Sequence, residues 1–174
     1  MFNCGDFSLV PLVKEDAESL SEMMVSNSER FQDYFPKTLE ENVSVAKSKQ
    51  FIRTISEDFK NRKQFLFALK TENTIAGLIY IKELDWEKKE GEFAYCISKA
   101  YSGRGFISKG VAKLSEYAFD ALHLETVNII THKSNTPSVR IAKKCGFHFV
   151  KTLKNEFTPP GKEPLDMELY QLKR

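Results

Sequence analysis

The sequence predicts a mixed α/β domain of the α+β kind, built on one sheet of about seven strands. Three observations predict it. Residues 64–98 contain three β-rich runs joined by short turns, the pattern of an antiparallel meander. After Gly105 the apolar residues recur every three or four positions, which is the helical period. A short β-branched run follows that helix, so at least one strand is entered through a parallel crossover. At 174 residues one domain is the default, and such a chain buries a core without disulfides or metal. We therefore expect residues 1–174 to form a single domain.

Residues 7–13 alternate Phe7, Leu9 and Pro11 against Ser8, Val10 and Leu12, a first strand that Pro11 places at an edge or a strand end. Ala17, Leu20, Met23 and Met24 fall at helical spacing over 16–25. Residues 30–36 read as an aromatic-rich loop with Phe31, Tyr34 and Phe35. Thr38 followed by Glu41 resembles a capping box and opens a predicted helix to about residue 59, with Val45, Phe51, Ile52, Ile55 and Phe59 on its apolar face. The meander strands are 64–70, 74–84 and 90–98, linked by turns at 71–73 and 85–89. Ile107, Val111, Leu114, Ala118 and Ala121 mark a helix of about four turns. Residues 126–132 form a strand. Residues 135–145 form a helix stopped by Gly146, and 147–155 and 164–173 are the closing strands.

Composition excludes several classes. The chain is 41% hydrophobic and 29% charged, which is globular rather than disordered. A net charge of +2 points to neither a nucleic-acid nor a membrane partner. No run approaches the roughly 20 apolar residues of a membrane span. The opening MFNCGDFSLV lacks a basic segment and a long apolar run, so no secretory signal is expected. Cys4, Cys96 and Cys145 are too few and odd in number for a disulfide framework. They fit a reducing, cytoplasmic setting. His123, His132 and His148 are scattered, and the Cys145/His148 spacing has no second pair, so no metal site is expected.

The chemistry concentrates at residues 100–112. A strand ends at Ser98, a glycine-rich turn follows, and a helix begins near Phe106. First-turn amides lack intrahelical acceptors, and the helix dipole places partial positive charge there, which together make an anion site. Gly103 and Gly105 let backbone approach a phosphate without a Cβ in the way. Arg104 adds a cation and Ser108 a hydroxyl. A dinucleotide fingerprint would need a third glycine where Ser108 stands, early in a βαβ unit, and the P-loop pattern is absent.

These features resemble the GNAT superfamily of acyltransferases, whose pyrophosphate loop reads [QR]-x-x-G-x-[GA]. Residues 102–107 match at Gly105 and depart at Ser102 and Ile107. Residues 101–108 follow the W-G-K-G-I-x-T loop of the RimJ/RimL-type subgroup more closely. Residues 10–17 resemble that subgroup's R-P-L-x-x-x-D-A opening, with Val10 for arginine. Residues 91–97 resemble its A-E-I-G-Y-x-[LI] strand, and residues 135–147 carry every fixed residue of its N-x-x-S-x-x-x-x-x-K-x-G-F helix.

The resemblance implies a sheet with helices on both faces and two parallel strands, 90–98 and 126–132, that splay to admit a pantetheine arm. It implies transfer of an acetyl group from acetyl-CoA to a primary amine, on a protein N-terminus or a small molecule, by direct attack in a ternary complex. The backbone of Tyr95, Cys96 and Ile97 would pair with the arm. Gly103, Arg104, Gly105, Phe106, Ile107 and Ser108 would hold the pyrophosphate, and Arg140, Lys143 and Lys144 could meet the adenine-side phosphates. Glu92 would be the general base, against a plain strand carboxylate. Ser138 would meet the CoA sulfur or protonate the thiolate, with Tyr95 as the alternative acid. Asn135 would bond the arm, although as N-cap it also has a structural use. Cys145 reads as core.

Two other classes remain open at this stage. A non-catalytic acyl-CoA sensor on the same fold is one, favoured by the departures at Ser102 and Ile107 and opposed by the intact Asn135/Ser138 pair. A nucleic-acid-binding scaffold is the other, and it lacks the basic, aromatic-interleaved stripe it would need. The acceptor, and the choice between monomer and homodimer, are not written in the sequence.

Overall fold

The computed structural model describes every residue except Asn73. The predicted turn at 71–73 thus ends on a residue outside those described. Among the described residues eight strands form one sheet: β1 (Phe2–Asn3), β2 (Ser8–Pro11), β3 (Phe65–Thr71), β4 (Thr74–Asp85), β5 (Glu90–Ile97), β6 (Thr126–Thr131), β7 (His148–Phe157) and β8 (Leu165–Lys173). Their order is β1-β2-β3-β4-β5-β6-β8-β7. Neighbours are antiparallel except β5 and β6, which are parallel. The predicted meander is β3–β4–β5. The eighth strand, β1, is a two-residue edge too short for any periodicity to reveal.

Helices cover both faces because β3 and β4 are apolar on both sides. Phe65, Phe67, Leu69, Ile79 and Ile81 point into one core with α5 (Phe106–Asp120) and α6 (Thr136–Lys144). Leu66, Ala68, Ile75, Leu78 and Tyr80 point into the other, with α1 (Ala17–Ser26) and α4 (Val45–Lys60). Strands buried on both faces read as continuous apolar runs, which is the pattern of FLFAL and IAGLIYI. Full burial of each large apolar side chain contributes about 1.5–3 kcal/mol. Gly110 allows α5 to lie close on β4, since a Cβ there would sit 2.6 Å from Ile79 Cδ1.

The region 28–44 differs from the sequence expectation. Residues 30–36 are not simply a loop: α2 (Ser28–Phe31) and α3 (Pro36–Glu40) bracket a turn. Pro36 sits at the start of α3, where its missing N–H costs nothing, and Thr38 is therefore helical and cannot cap. Its hydroxyl pairs with Tyr80 Oη at 3.2 Å. The long helix begins at Val45 instead, capped by Ser44, whose Oγ accepts from the Lys47 amide. Buried Asn42 joins the two pieces, donating to Thr38 O at 2.8 Å and accepting from Ser48 Oγ at 2.7 Å. Val45, expected on the apolar face, is exposed.

Candidate active site

The parallel strands pair only from Glu90↔Thr126 to Phe93↔Ile129. Beyond that point β5 stays with β4 as far as Ile97↔Gly77, and β6 stays with β8 through Thr131↔Glu168. The backbone after Phe93 thus loses its β6 partner on one side, and unpaired amides and carbonyls call for another. A cleft of about 710 Å³ opens there. Alternation along β5 puts Phe93 and Tyr95 on the α5/α6 face, and Ala94 and Cys96 on the α1/α4 face. Both Glu92 and Tyr95 nevertheless line the cleft, because the parting of the strands joins the two faces of the sheet.

The glycine turn stands at the end of β5. Gly103 and Gly105 have φ of +80° and +77°, values that favour glycine. A side chain at Gly103 would meet nothing within 4 Å, and one at Gly105 only Ser108 Oγ, at 3.8 Å. The space above the turn is open. The first α5 amide to find a helical acceptor is that of Lys109, on Gly105 O, so Phe106, Ile107 and Ser108 precede it with donors to offer. The side chains of Phe106 and Ile107 are buried in the core, leaving their backbone to face the turn. The Ser108 hydroxyl donates to Gly105 O at 2.9 Å; its proton is spent inside the turn. Arg104 lies over the Tyr101 ring at 5.1 Å.

Across the cleft, Asn135 caps α6: its Oδ1 accepts from the Ser138 amide at 3.3 Å. The same turn carries the Ser138 side chain, whose Oγ lies 2.8 Å from Tyr95 Oη. Burial pushes the Tyr95 phenol far above its ordinary range, so it stays protonated. Burial likewise pushes the Cys96 thiol up to about 12, and its side chain is packed in the α1/α4 core. Cys145 packs against the other core and donates its thiol hydrogen to Ser108 O at 3.3 Å. Arg140, Lys143 and Lys144 are exposed on α6.

Glu92 is bound to Lys82, Oε1 to Nζ at 3.1 Å, with 18% of its side chain exposed. Burial holds its carboxyl above the usual carboxylate range, the Lys82 ammonium pulls against that, and Glu83 and Glu156 push with it. Lys82 was not legible as a site residue, because its partner depends on strand register. The same holds for Phe157 and Met167, which line the cleft from β7 and β8, whereas Tyr34 and Phe35 of the aromatic-rich segment 30–36 line it from the α2–α3 turn. Tyr34 and Phe157 stack at 5.7 Å, and Lys162 reaches Asp33 at 2.7 Å. Among the described residues no helix is long and apolar enough to cross a membrane, and no three His, Cys, Asp or Glu residues gather as a metal site.

The acetyltransferase (GNAT) domain family matches residues 6–148. YdaF of Bacillus subtilis (strain 168), named as a candidate ribosomal N-acetyltransferase, is 29% identical over 154 residues, 84% of this chain and 82% of that protein. Spermidine N(1)-acetyltransferase of Escherichia coli (strain K12) is 26% identical over 149 residues, 86% of this chain and 76% of that protein. The microcin C7 self-immunity acetyltransferase MccE, solved with acetyl-CoA and AMP, shares the fold: its TM-score is 0.87 at 20% identity, over 97% of this chain and 93% of that one. The chain belongs to the GNAT acetyltransferase domain family, enzymes that are acetyl-CoA-dependent N-acetyltransferases, and within it resembles the RimJ/RimL type.

Proposed function

We propose that this chain binds acetyl-CoA in the β5/β6 cleft and transfers its acetyl group to a primary amine in a ternary complex. The observation that carries this is the through-sheet cleft, with a carboxylate on one side and a hydroxyl pair on the other, beside an open helix N-terminus. The residues fit the co-substrate. The amides of Phe106, Ile107 and Ser108, with the open space at Gly103 and Gly105, suit a pyrophosphate. Arg104, Arg140 and Lys144 are exposed cations for the remaining phosphates. The unpaired edge of β5 at Cys96 and Ile97 suits an amide-bearing arm, which it would bind as an added strand, and Asn135 lines the same passage.

Bound acetyl-CoA supplies the thioester carbon: the amine nitrogen bonds to it, the C–S bond breaks, and the sulfur leaves with the electron pair. Glu92 takes the proton that the amine must lose. Ser138 or Tyr95, acting as one hydrogen-bonded pair, returns a proton to the sulfur. Glu41, Glu83, Glu92 and Glu156 outnumber Lys37 and Lys82 around the cleft, a balance that draws in a protonated amine. The acceptor is a protein N-terminal amine or a small polyamine; the name of YdaF points to a ribosomal acceptor and that of the E. coli relative to spermidine. The three free thiols suit the cytoplasm. Thiol release from acetyl-CoA, measured with spermidine and with alanine- and serine-initiated peptides, tests the reading. Turnover of any of these amines supports it, and none, with acetyl-CoA bound, refutes transfer to these classes.

A further inference from the structure

The sheet contains a local irregularity that borders the cleft. On β4 the register runs Lys82↔Glu92 and then Asp85↔Glu90. Three steps along β4 match two along β5, so β4 carries one extra residue, and Glu83 within it adopts φ +47°. Successive strand residues normally face opposite sides, and a bulge re-aims them. Here Lys82 and Glu83 both line the cleft. Lys82 lies directly across from Glu92 in register, and its Nζ reaches Oε1 at 3.1 Å. Glu83 is farther from that ammonium, at 4.0 Å, and its side chain is 73% exposed.

We propose that Lys82 is a positioning residue for acetyl transfer: its ammonium fixes the Glu92 carboxylate at the cleft and keeps it in the ionised, proton-accepting form. The inference rests on Glu92 being the base. The charge inventory around Glu92 leaves Lys82 that task. From β4 come Lys82 and Glu83, and from β7 comes Glu156, both carboxylates repelling the Glu92 charge. On β6 the residue in register is Asn128, which is uncharged and bonded to Gln171. Lys37 and Glu41 of the α3 region also line the cleft. Burial and the two neighbouring carboxylates disfavour the Glu92 charge, and Lys82 is the cation in contact that favours it.

The test compares wild type, Lys82→Met, Lys82→Arg and Glu92→Gln in two measurements. The first follows the Glu92 side-chain carboxyl by carbon-13 NMR against pH in glutamate-labelled protein, with Glu92→Gln assigning the signal. The second follows thiol release against pH with acetyl-CoA and, in parallel, spermidine and an alanine-initiated peptide. In Lys82→Met the Glu92 titration and the acid limb of the rate both move to higher pH, and the maximal rate falls on the order of tenfold as the base loses its anchor. Lys82→Arg restores both. A Glu92 titration that is the same with Met at this position overturns the proposal, as does a uniform rate loss with the acid limb in place. Full thiol release by Glu92→Gln is a different failure: it removes Glu92 as the base, and with it this role for Lys82, whatever the NMR titration shows.

Discussion

Tyr95 Oη and Ser138 Oγ share one hydrogen bond of 2.8 Å, and only one of the two hydroxyls donates in it. The other keeps a hydrogen that can point along the cleft both residues line. Whichever donates, the pair offers one proton to a leaving thiolate, so neither residue acts alone. Ser138→Ala and Tyr95→Phe are each expected to slow thiol release on the order of tenfold to a hundredfold with little change in acetyl-CoA affinity by calorimetry. The double variant should cost clearly less than the product of the singles, the signature of groups acting as a unit; a full product of the two losses would show independent roles. Glu92 gives a prediction for stability. Its folded carboxyl holds its proton to higher pH than in the unfolded chain. It therefore favours the fold below the unfolded value, and that favour is lost as pH rises through the folded one. Glu92→Gln should raise the melting temperature at about pH 8, well above the ordinary carboxylate range, and the gain should vanish on acidification. A Glu92→Gln melt lowered at every pH would mean that the carboxylate stabilises the fold. Asn135 and Ser138 were legible as candidates because they stand at fixed positions of the resembled helix motif, while the helix start alone accounts for them only as capping residues. Lys82 was not, because its meaning arises from β4–β5 register and a bulge that no local pattern encodes.

The elements that surround the cleft differ in how much of each was written locally. β5, the glycine turn and α5 follow one another without a break, and alternation, glycine and a 3.6-residue period each announced their part. The α3–α4 region was misread as one helix because Thr38 and Glu41 satisfy the capping pattern. Pro36 starts a separate helix two residues earlier, and buried Asn42 and Ser48, both fully enclosed, then hold the break closed. That is a tertiary arrangement with no local signature. β1 is too short for one. For the glycine turn the prediction is sharp, because two substitutions separate strain from blockage. Gly105→Ala places an L residue at φ +77° and should cost about 1–2 kcal/mol of stability, with room for the methyl group. Gly105→Asp adds a carboxylate over the first-turn amides of α5 and should abolish acetyl-CoA binding in calorimetry while folding much as the alanine variant does. Undiminished affinity in the aspartate variant would move the phosphate site elsewhere.

The whole sheet is two blocks, β1–β5 and β6–β8, joined edge to edge by the four register pairs of β5 and β6 and bridged across one face by α5. The site stands where that joint opens, so a ligand in the cleft touches both blocks at once. Splaying leaves backbone groups short of partners, a standing cost that a bound chain of amides relieves. Acetyl-CoA should consequently stabilise the molecule as a whole. At a concentration of ~100 times its dissociation constant the linkage contributes about 2.7 kcal/mol. For a domain of this size that raises the melting temperature by roughly 5–10 °C. Adenosine alone, lacking the pyrophosphate for α5 and the amides for β5, should give almost none of it. CoA without its acetyl group should give most, because the groups assigned to binding meet the pyrophosphate and the arm. A shift from adenosine equal to that from acetyl-CoA would place the binding energy outside the cleft, and no shift with millimolar acetyl-CoA would mean that the gap between β5 and β6 does not hold it.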